Sequence, residues 1–327
     1  IVVRILTFGT EVFSETFWKD KLQSAWYLRT QLLDFEVTNA FRVIHGEGDG
    51  ISGLIIDYYD KNWVIQAHST GVFLQMKEIA DAIQANFPDF CDTIYCKSAG
   101  TLPNTGTDYF LFGTKADTVA KENNILFSVN WVEGQKTGFF LDQRENRKLL
   151  GEFSKGKKVL NTFCYTGGFS IYAMNAGAEL VTSVDISQKA VDLAASNMEL
   201  NFPKANHTAV ADDVFNFMRE HTQHYDVIVL DPPAFAKSIK SKHTATQAYK
   251  RLNIAGLKAL APNGILFTFS CSQVIDDVLF YNTVAAAAIE SGRNIRVLHK
   301  LGQGPDHPTN IYHPEGHYLK GLVLFVE

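Results

Sequence analysis

Four short stretches carry residues able to do chemistry: "FCYTGGFS" (163–170), "SVDIS" (183–187), "VLDPPAFAKS" (229–238) and "FSCS" (269–272). In the first, Phe163, Tyr165 and Thr166 lead into the pair Gly167 and Gly168, ahead of a helical pattern. Adjacent glycines let the backbone approach a ligand closely at a helix N-terminus. The spacing is not GxGxxG, which argues against a dinucleotide pyrophosphate and hence against a nicotinamide dehydrogenase. Asp185, followed by Ile186, ends the next apolar run, where a carboxylate can accept both hydroxyls of a ribose. A plain tight turn and an N-cap for 188–195 are the bland alternatives; together the two features point to a nucleoside. Asp213, ending the run after that, could accept from an adenine amine or cap the helix "VFNFMRE".

Asp231 stands at the end of a wholly apolar run and is followed by Pro232 and Pro233, which stiffen the turn and lack N–H donors. A carboxylate held so rigidly beside a nucleoside can orient or deprotonate a substrate. Cys271 ends the following apolar run and is expected on the same rim. A thiol there suits a reaction that needs a soft nucleophile. Methylation of pyrimidine C5 is one: that carbon becomes reactive only after a thiolate adds at C6. The alternative is a small residue filling space at a strand end. Cys164 reads as packing.

After Asp231, "AFAKSIKSKHTATQAYKR" holds Lys237, Lys240, Lys242, Lys250 and Arg251 and no acid, in a chain whose formal net charge is −5. Such a run reads as a flap contacting phosphates, or as a solvated helix face. Phe235 and Tyr249 could stack on an extruded base or simply pack.

The elements that must position these residues follow from periodicity. From about residue 131 apolar runs alternate with helical patterns, which implies a mostly parallel, doubly wound α/β sheet with ligands at the C-terminal strand ends. Residues 41–130 carry short β-rich runs and one or two helices, expected to form a small α+β domain. Residues 15–40 read as a connecting helix whose apolar face could meet a partner subunit, giving a homodimer, or the chain's own core. Residues 1–14, opening with "IVVRILTFG", read as a remnant strand of a preceding domain. With 327 residues, 46% of them hydrophobic, the chain can build two cores. Four cysteines without CxxC spacing suggest a reducing compartment and no metal site, and no apolar run reaches the roughly 20 residues of a membrane span. The expected location is the cytoplasm.

"GQKTGFFLDQRENR" (134–147), "NTFCYTGGFS", "SVDIS", "DPPAFAKS", "FSCS" and the tail "DHPTNIYHPEGHYLKGLVLFVE", in this order, resemble the bacterial large-subunit ribosomal RNA cytosine-5 methyltransferase family. The resemblance implies a class I S-adenosylmethionine enzyme with a PUA RNA-binding domain, a central α+β domain and a Rossmann-like domain at 131–327. It implies that Phe140, Gln143 and the 163–168 turn contact the cofactor, with Asp185 on its ribose, beside Ile186, and Asp213 on its adenine. Asp231 matches the site aspartate and Cys271 the nucleophile, while Pro232, Phe235, Lys237, Lys240, Tyr249 and Arg251 fall to the RNA. The related uracil-5 enzymes carry a glutamate base in a segment resembling "GHYLKG", where this chain has Lys320, with Glu315 a little earlier. The group that takes the C5 proton is thus Asp231, Glu315 or a water. Two rivals remain: a guanine-nitrogen (N7 or N2) methyltransferase that needs no covalent thiol, and an RNA-binding assembly module without turnover.

Overall fold

The computed structural model describes residues 3–7, 16–102, 104–236 and 238–327, so Lys237 and most of the expected opening strand lie outside the described residues. Residues 3–7 form no strand. The chain divides into two compact units, 1–142 with 304–316, and 143–303 with 317–327. The second unit starts at Gln143, whereas the sequence predicts a domain from residue 131, and it leaves residues 304–316 to the first unit. That exchange depends on what the segment is buried among, which periodicity does not report.

In the N-terminal unit, α1 (Phe17–Leu32) is followed by β1 (Ala40–His45), β2 (Leu54–Tyr59), β3 (Asn62–Ala67), the short α2 (Thr70–Phe73), α3 (Met76–Asn86), β4 (Thr93–Lys97) and β5 (Asp108–Phe112). These strands form one sheet in the order β1-β2-β3-β4-β5, and β6 (Asp117–Glu122) pairs with β7 (Ile125–Asn130) as a separate ribbon. The apolar face of α1 is covered by this unit's own core: Phe17, Trp18, Leu22 and Ala25 are buried, and the Trp26 ring lies 5.4 Å from that of Trp63 and 4.7 Å from that of Phe87. This unit also buries a charged network. Arg29 pairs with Asp49 and donates to the Asp306 carbonyl at 2.8 Å, and Arg42 grips Asp57 with bonds of 2.7 and 2.9 Å. The Asp306 carboxylate accepts from the Arg42 amide at 3.0 Å, which fastens segment 304–316 to β1.

The second unit runs α4 (Arg144–Glu152), β8 (Lys158–Thr162), α5 (Gly168–Asn175), β9 (Leu180–Asp185), α6 (Gln188–Asn201), β10 (His207–Ala211), α7 (Val214–Glu220), β11 (Tyr225–Leu230), α8 (Lys242–Ala259), β12 (Leu260–Ser270), α9 (Asp277–Ser291), β13 (Ile295–Leu301) and β14 (Lys320–Val326). The seven strands lie in the order β10-β9-β8-β11-β12-β14-β13. The first five are parallel and β14 runs antiparallel to both its neighbours. The helices pack as two groups, α4 to α6 and α7 to α9. β8, β11 and the second half of β12 are buried on both faces, which is why they read as unbroken apolar runs.

Candidate active site

Strand register explains why chemistry-bearing residues gather on one rim. Val184 pairs with Thr162, Thr162 with Leu230, and Leu230 with Thr268, so these four sit in a row across the parallel strands. The chain leaves that row through Asp185, Phe163, Asp231 and Phe269, with Cys271 two residues beyond.

The turn after β8 is strained. Phe163 and Tyr165 have φ of 53° and 44°, and Gly167 has φ of 77°. A positive φ at a bulky residue costs on the order of 1–3 kcal/mol and persists where surroundings fix it. Here the Cys164 amide donates to the Val184 carbonyl at 3.1 Å, and the Gly167 amide to the Cys164 carbonyl at 2.8 Å. Thr166 is buried, and its carbonyl accepts from Asn197 at 3.0 Å. A Cβ on Gly167 would stand 3.0 Å from the Ala194 methyl at a left-handed φ, so glycine is favoured just ahead of α5. Burial, with the nearby Asp185 carboxylate, pushes the Cys164 thiol up and keeps it inert.

Asp185 accepts from the Tyr165 amide at 3.2 Å with one oxygen and from the Ser187 amide at 3.0 Å with the other. Each oxygen has a second lone pair, enough to take two ribose hydroxyls. Ile186 is 77% exposed, an apolar face beside that carboxylate. Asp213 is the N-cap of α7, accepting from the Phe215 and Asn216 amides at 3.0 and 3.1 Å, so the helix already occupies one of its oxygens.

Gln143 is buried and donates to Asp231 Oδ2 at 2.9 Å, while its own oxygen accepts from Asn146 at 2.6 Å; Asn146 in turn holds the Gly302 carbonyl at 3.0 Å. The chain Gly302, Asn146, Gln143, Asp231 orients the site carboxylate, and Asn146 is a member that sequence reasoning missed. Phe140 belongs to the N-terminal unit, where Lys136 Nζ stands 4.3 Å from its ring centroid.

Cys271 is half-buried and lines a cavity of about 280 Å³ with Ala234, Ala236, Ser272, Gln273, Val274 and Tyr318. Pro232 is buried beneath this loop, and Phe235 packs 4.7 Å from the Tyr249 ring. Tyr249 corrects the expectation of a stacking platform. It is fully buried, its phenol is pushed up to about 12 mainly by burial, and its ring has no open face for a base. The basic flap also divides. Lys240 is exposed, but Lys242 lies 3.7 Å from Asp276 and Lys250 2.6 Å from Glu290. Arg251 lines a different cavity, of about 510 Å³, with Arg219, Lys258 and Arg293. Glu315 belongs to the N-terminal unit, 3.4 Å from His313. Among the described residues no cluster of three metal-ligating side chains exists, and no helix is long and apolar enough to cross a membrane.

A glycine turn, a strand-end carboxylate and a seven-stranded sheet with one antiparallel strand near its edge define a Rossmann-like methyltransferase fold. The profile of the S-adenosylmethionine-dependent methyltransferase family matches residues 103–314. The chain is 38% identical to a "Ribosomal RNA large subunit methyltransferase I" from Aeromonas hydrophila over 99% of its own length and 84% of the relative's. It is 40% identical to one of the same name from Alteromonas mediterranea, covering 100% of this chain and 84% of that one. A solved candidate SAM-dependent methyltransferase from Streptococcus mutans superposes with a TM-score of 0.86 at 26% identity, covering 98% of this chain and 84% of that one. A second solved methyltransferase candidate, in complex with SAH, gives 0.83 at 27% identity, covering 97% and 83%. The chain belongs to the S-adenosylmethionine-dependent methyltransferase family, and S-adenosylmethionine is its cofactor.

Proposed function

We propose that this protein methylates C5 of a cytosine in large-subunit ribosomal RNA, with Cys271 as the nucleophile and Asp231 holding the base. The observation that carries the reading is Cys271 opening into a cavity at the end of β12, the parallel neighbour of the strand that ends in Asp231. The names of the relatives support the RNA substrate, and work on ribosomal RNA implies a cytoplasmic protein.

S-adenosylmethionine supplies an electrophilic methyl group. The 163–168 turn, Asp185, Ile186 and Asp213 would hold its nucleoside, and Gln143 would fix the Asp231 carboxylate between cofactor and ring. The Cys271 thiolate adds to C6; as the S–C6 bond forms, the C5–C6 π pair shifts onto C5 and makes that carbon nucleophilic. After C5 is methylated its proton leaves to Asp231 or a water, the pair re-forms the double bond, and the C6–S bond breaks to release Cys271. Of the residues expected at the RNA, the exposed Lys240 would contact phosphates, while Arg251, turned to the separate cavity, would not.

The test sets Cys271→Ala beside wild type with labelled S-adenosylmethionine and ribosomal RNA lacking the modification, followed by nucleoside mass spectrometry. Wild type should yield 5-methylcytidine and the variant none, with cofactor affinity within about twofold. A methylguanosine product, or a variant that keeps its rate, would replace this reading with methylation of a guanine nitrogen.

A further inference from the structure

A lysine at the head of β14 bears on the thiol. Lys320 is cross-strand from Ser270 in the antiparallel β12 and β14 pair, one residue from Cys271. Its side chain is 3% exposed, and Nζ donates to the Ser272 carbonyl at 2.8 Å and to the Tyr318 carbonyl at 2.7 Å. Ser272 and Tyr318 both line the Cys271 cavity. The next residue, Gly321, has room for no side chain, because a Cβ there would stand 2.6 Å from the Phe269 ring; this lets β14 lie flush against the end of β12.

Burying an ammonium costs several kcal/mol, and two carbonyl bonds offset only part of it. A fold that needed only to tie residue 272 to residue 318 could use a neutral donor. The surroundings show what else the charge meets. The Lys320 pKa is lowered, chiefly by burial, with Asp277, Cys271 and Asp276 opposing that shift. The two carboxylates have other partners: Asp276 caps α9 and lies 3.7 Å from Lys242, and Asp277 lies 3.4 Å from His317 Nε2. On the α8 side stands the Tyr249 phenol, neutral at ordinary pH, which feels both Cys271 and Asp231 electrostatically. The coupling of Lys320 with Cys271 is reciprocal, since a thiolate that favours the ammonium is favoured by it in turn.

We propose that Lys320 is a positioning residue for methyl transfer: its ammonium clamps the turn carrying Cys271 through the Ser272 and Tyr318 carbonyls and keeps the sulfur as thiolate. The S–H bond breaks with its electron pair left on sulfur, and the proton passes to solvent at the open cavity. The inference rests on Cys271 being the nucleophile, yet it is read on the thiol itself and so is separable from the identity of the methylated base.

The experiment is alkylation of the full protein by iodoacetamide across pH 6 to 9.5, with the Cys271 peptide quantified by mass spectrometry. Cys91, Cys96 and Cys164 are buried and serve as slow internal controls. Wild-type Cys271 should react with a midpoint below the ordinary thiol value of about 8.5. Lys320→Gln should move the midpoint upward and slow alkylation at pH 7 by roughly tenfold, the change that one pH unit of thiolate population makes. Lys320→Arg, which keeps the charge, should restore most of the rate. A wild-type midpoint at or above 8.5 overturns the proposal without any variant. A Lys320→Gln protein that binds S-adenosylmethionine normally and keeps the wild-type midpoint overturns it as well, as does an equal shift in Gln and Arg variants. If alkylation behaves as expected and the product is not 5-methylcytidine, the thiolate clamp stands and the substrate reading falls.

Discussion

The N-terminal unit and the methyltransferase unit both gather charged side chains, and they use them in opposite ways. In the first, Arg29, Asp49, Arg42, Asp57, Asp306 and His307 are bonded to one another inside the fold, with Arg29, Asp57 and Asp306 fully buried. In the second, Asp185, Asp231 and Cys271 stay partly exposed at strand ends, Asp185 held by two backbone amides and Asp231 by the Gln143 side-chain amide. Density of titratable groups is therefore no guide to a site. What separates the regions is whether acceptors remain after the fold has taken its share.

The sharpest way to break the comparison is at Cys271. Replacing a rim nucleophile should leave the fold intact and remove turnover, so Cys271→Ala is expected to lose at least about a thousandfold in methylation rate, by labelled-methyl incorporation, with an unchanged melting temperature. The mirror image is Arg29→Ala. It strands Asp49 and the Asp306 carbonyl in the interior and should cost about 3–5 kcal/mol of stability in urea unfolding.

Next in size, the N-terminal network should make stability pH-dependent. His45 is held down to about 2, chiefly by burial and by Arg42, and His307 is lowered chiefly by burial. Because the folded-state values lie below the unfolded value near 6.5, their contribution is complete above that pH and is lost as pH falls. Between pH 7.5 and 5.5 each should remove up to about 1.4 kcal/mol, read from urea midpoints. An effect smaller than that of the two histidines together is expected at the rim turn. Gly167→Ala imposes a side chain at φ of 77° and against Ala194, and should weaken S-adenosylmethionine binding by roughly tenfold in calorimetry, about 1–2 kcal/mol.

Much of this was legible in the sequence because it is local. Alternation of apolar and helical periods reports the doubly wound sheet, and a residue that ends an apolar run, such as Asp185, Asp231 or Cys271, must surface at a strand end. What stayed hidden depends on contacts distant along the chain. Tyr249 could by sequence stack on a base or simply pack, and it packs, sealed by Phe235 and Phe280. Arg251 follows the basic run by sequence and turns to another cavity because α8 has rotated by then. Residues 304–316 look like methyltransferase tail and are bound into the other unit by Asp306, whose partners lie more than 250 residues earlier. Lys320 heads an otherwise apolar strand, and that it is buried against the Ser272 and Tyr318 carbonyls shows only in three dimensions.

The central claim is that Cys271 bonds to the substrate ring. The most direct measurement supplies wild-type enzyme with S-adenosylmethionine and ribosomal RNA containing 5-fluorocytidine, in which C5 holds no proton to remove, so the C6–S bond cannot break after methylation. The account predicts a stable protein–RNA adduct that depends on S-adenosylmethionine and maps to the Cys271 peptide. An enzyme active on ordinary RNA that forms no adduct, or forms one through another residue, would contradict it.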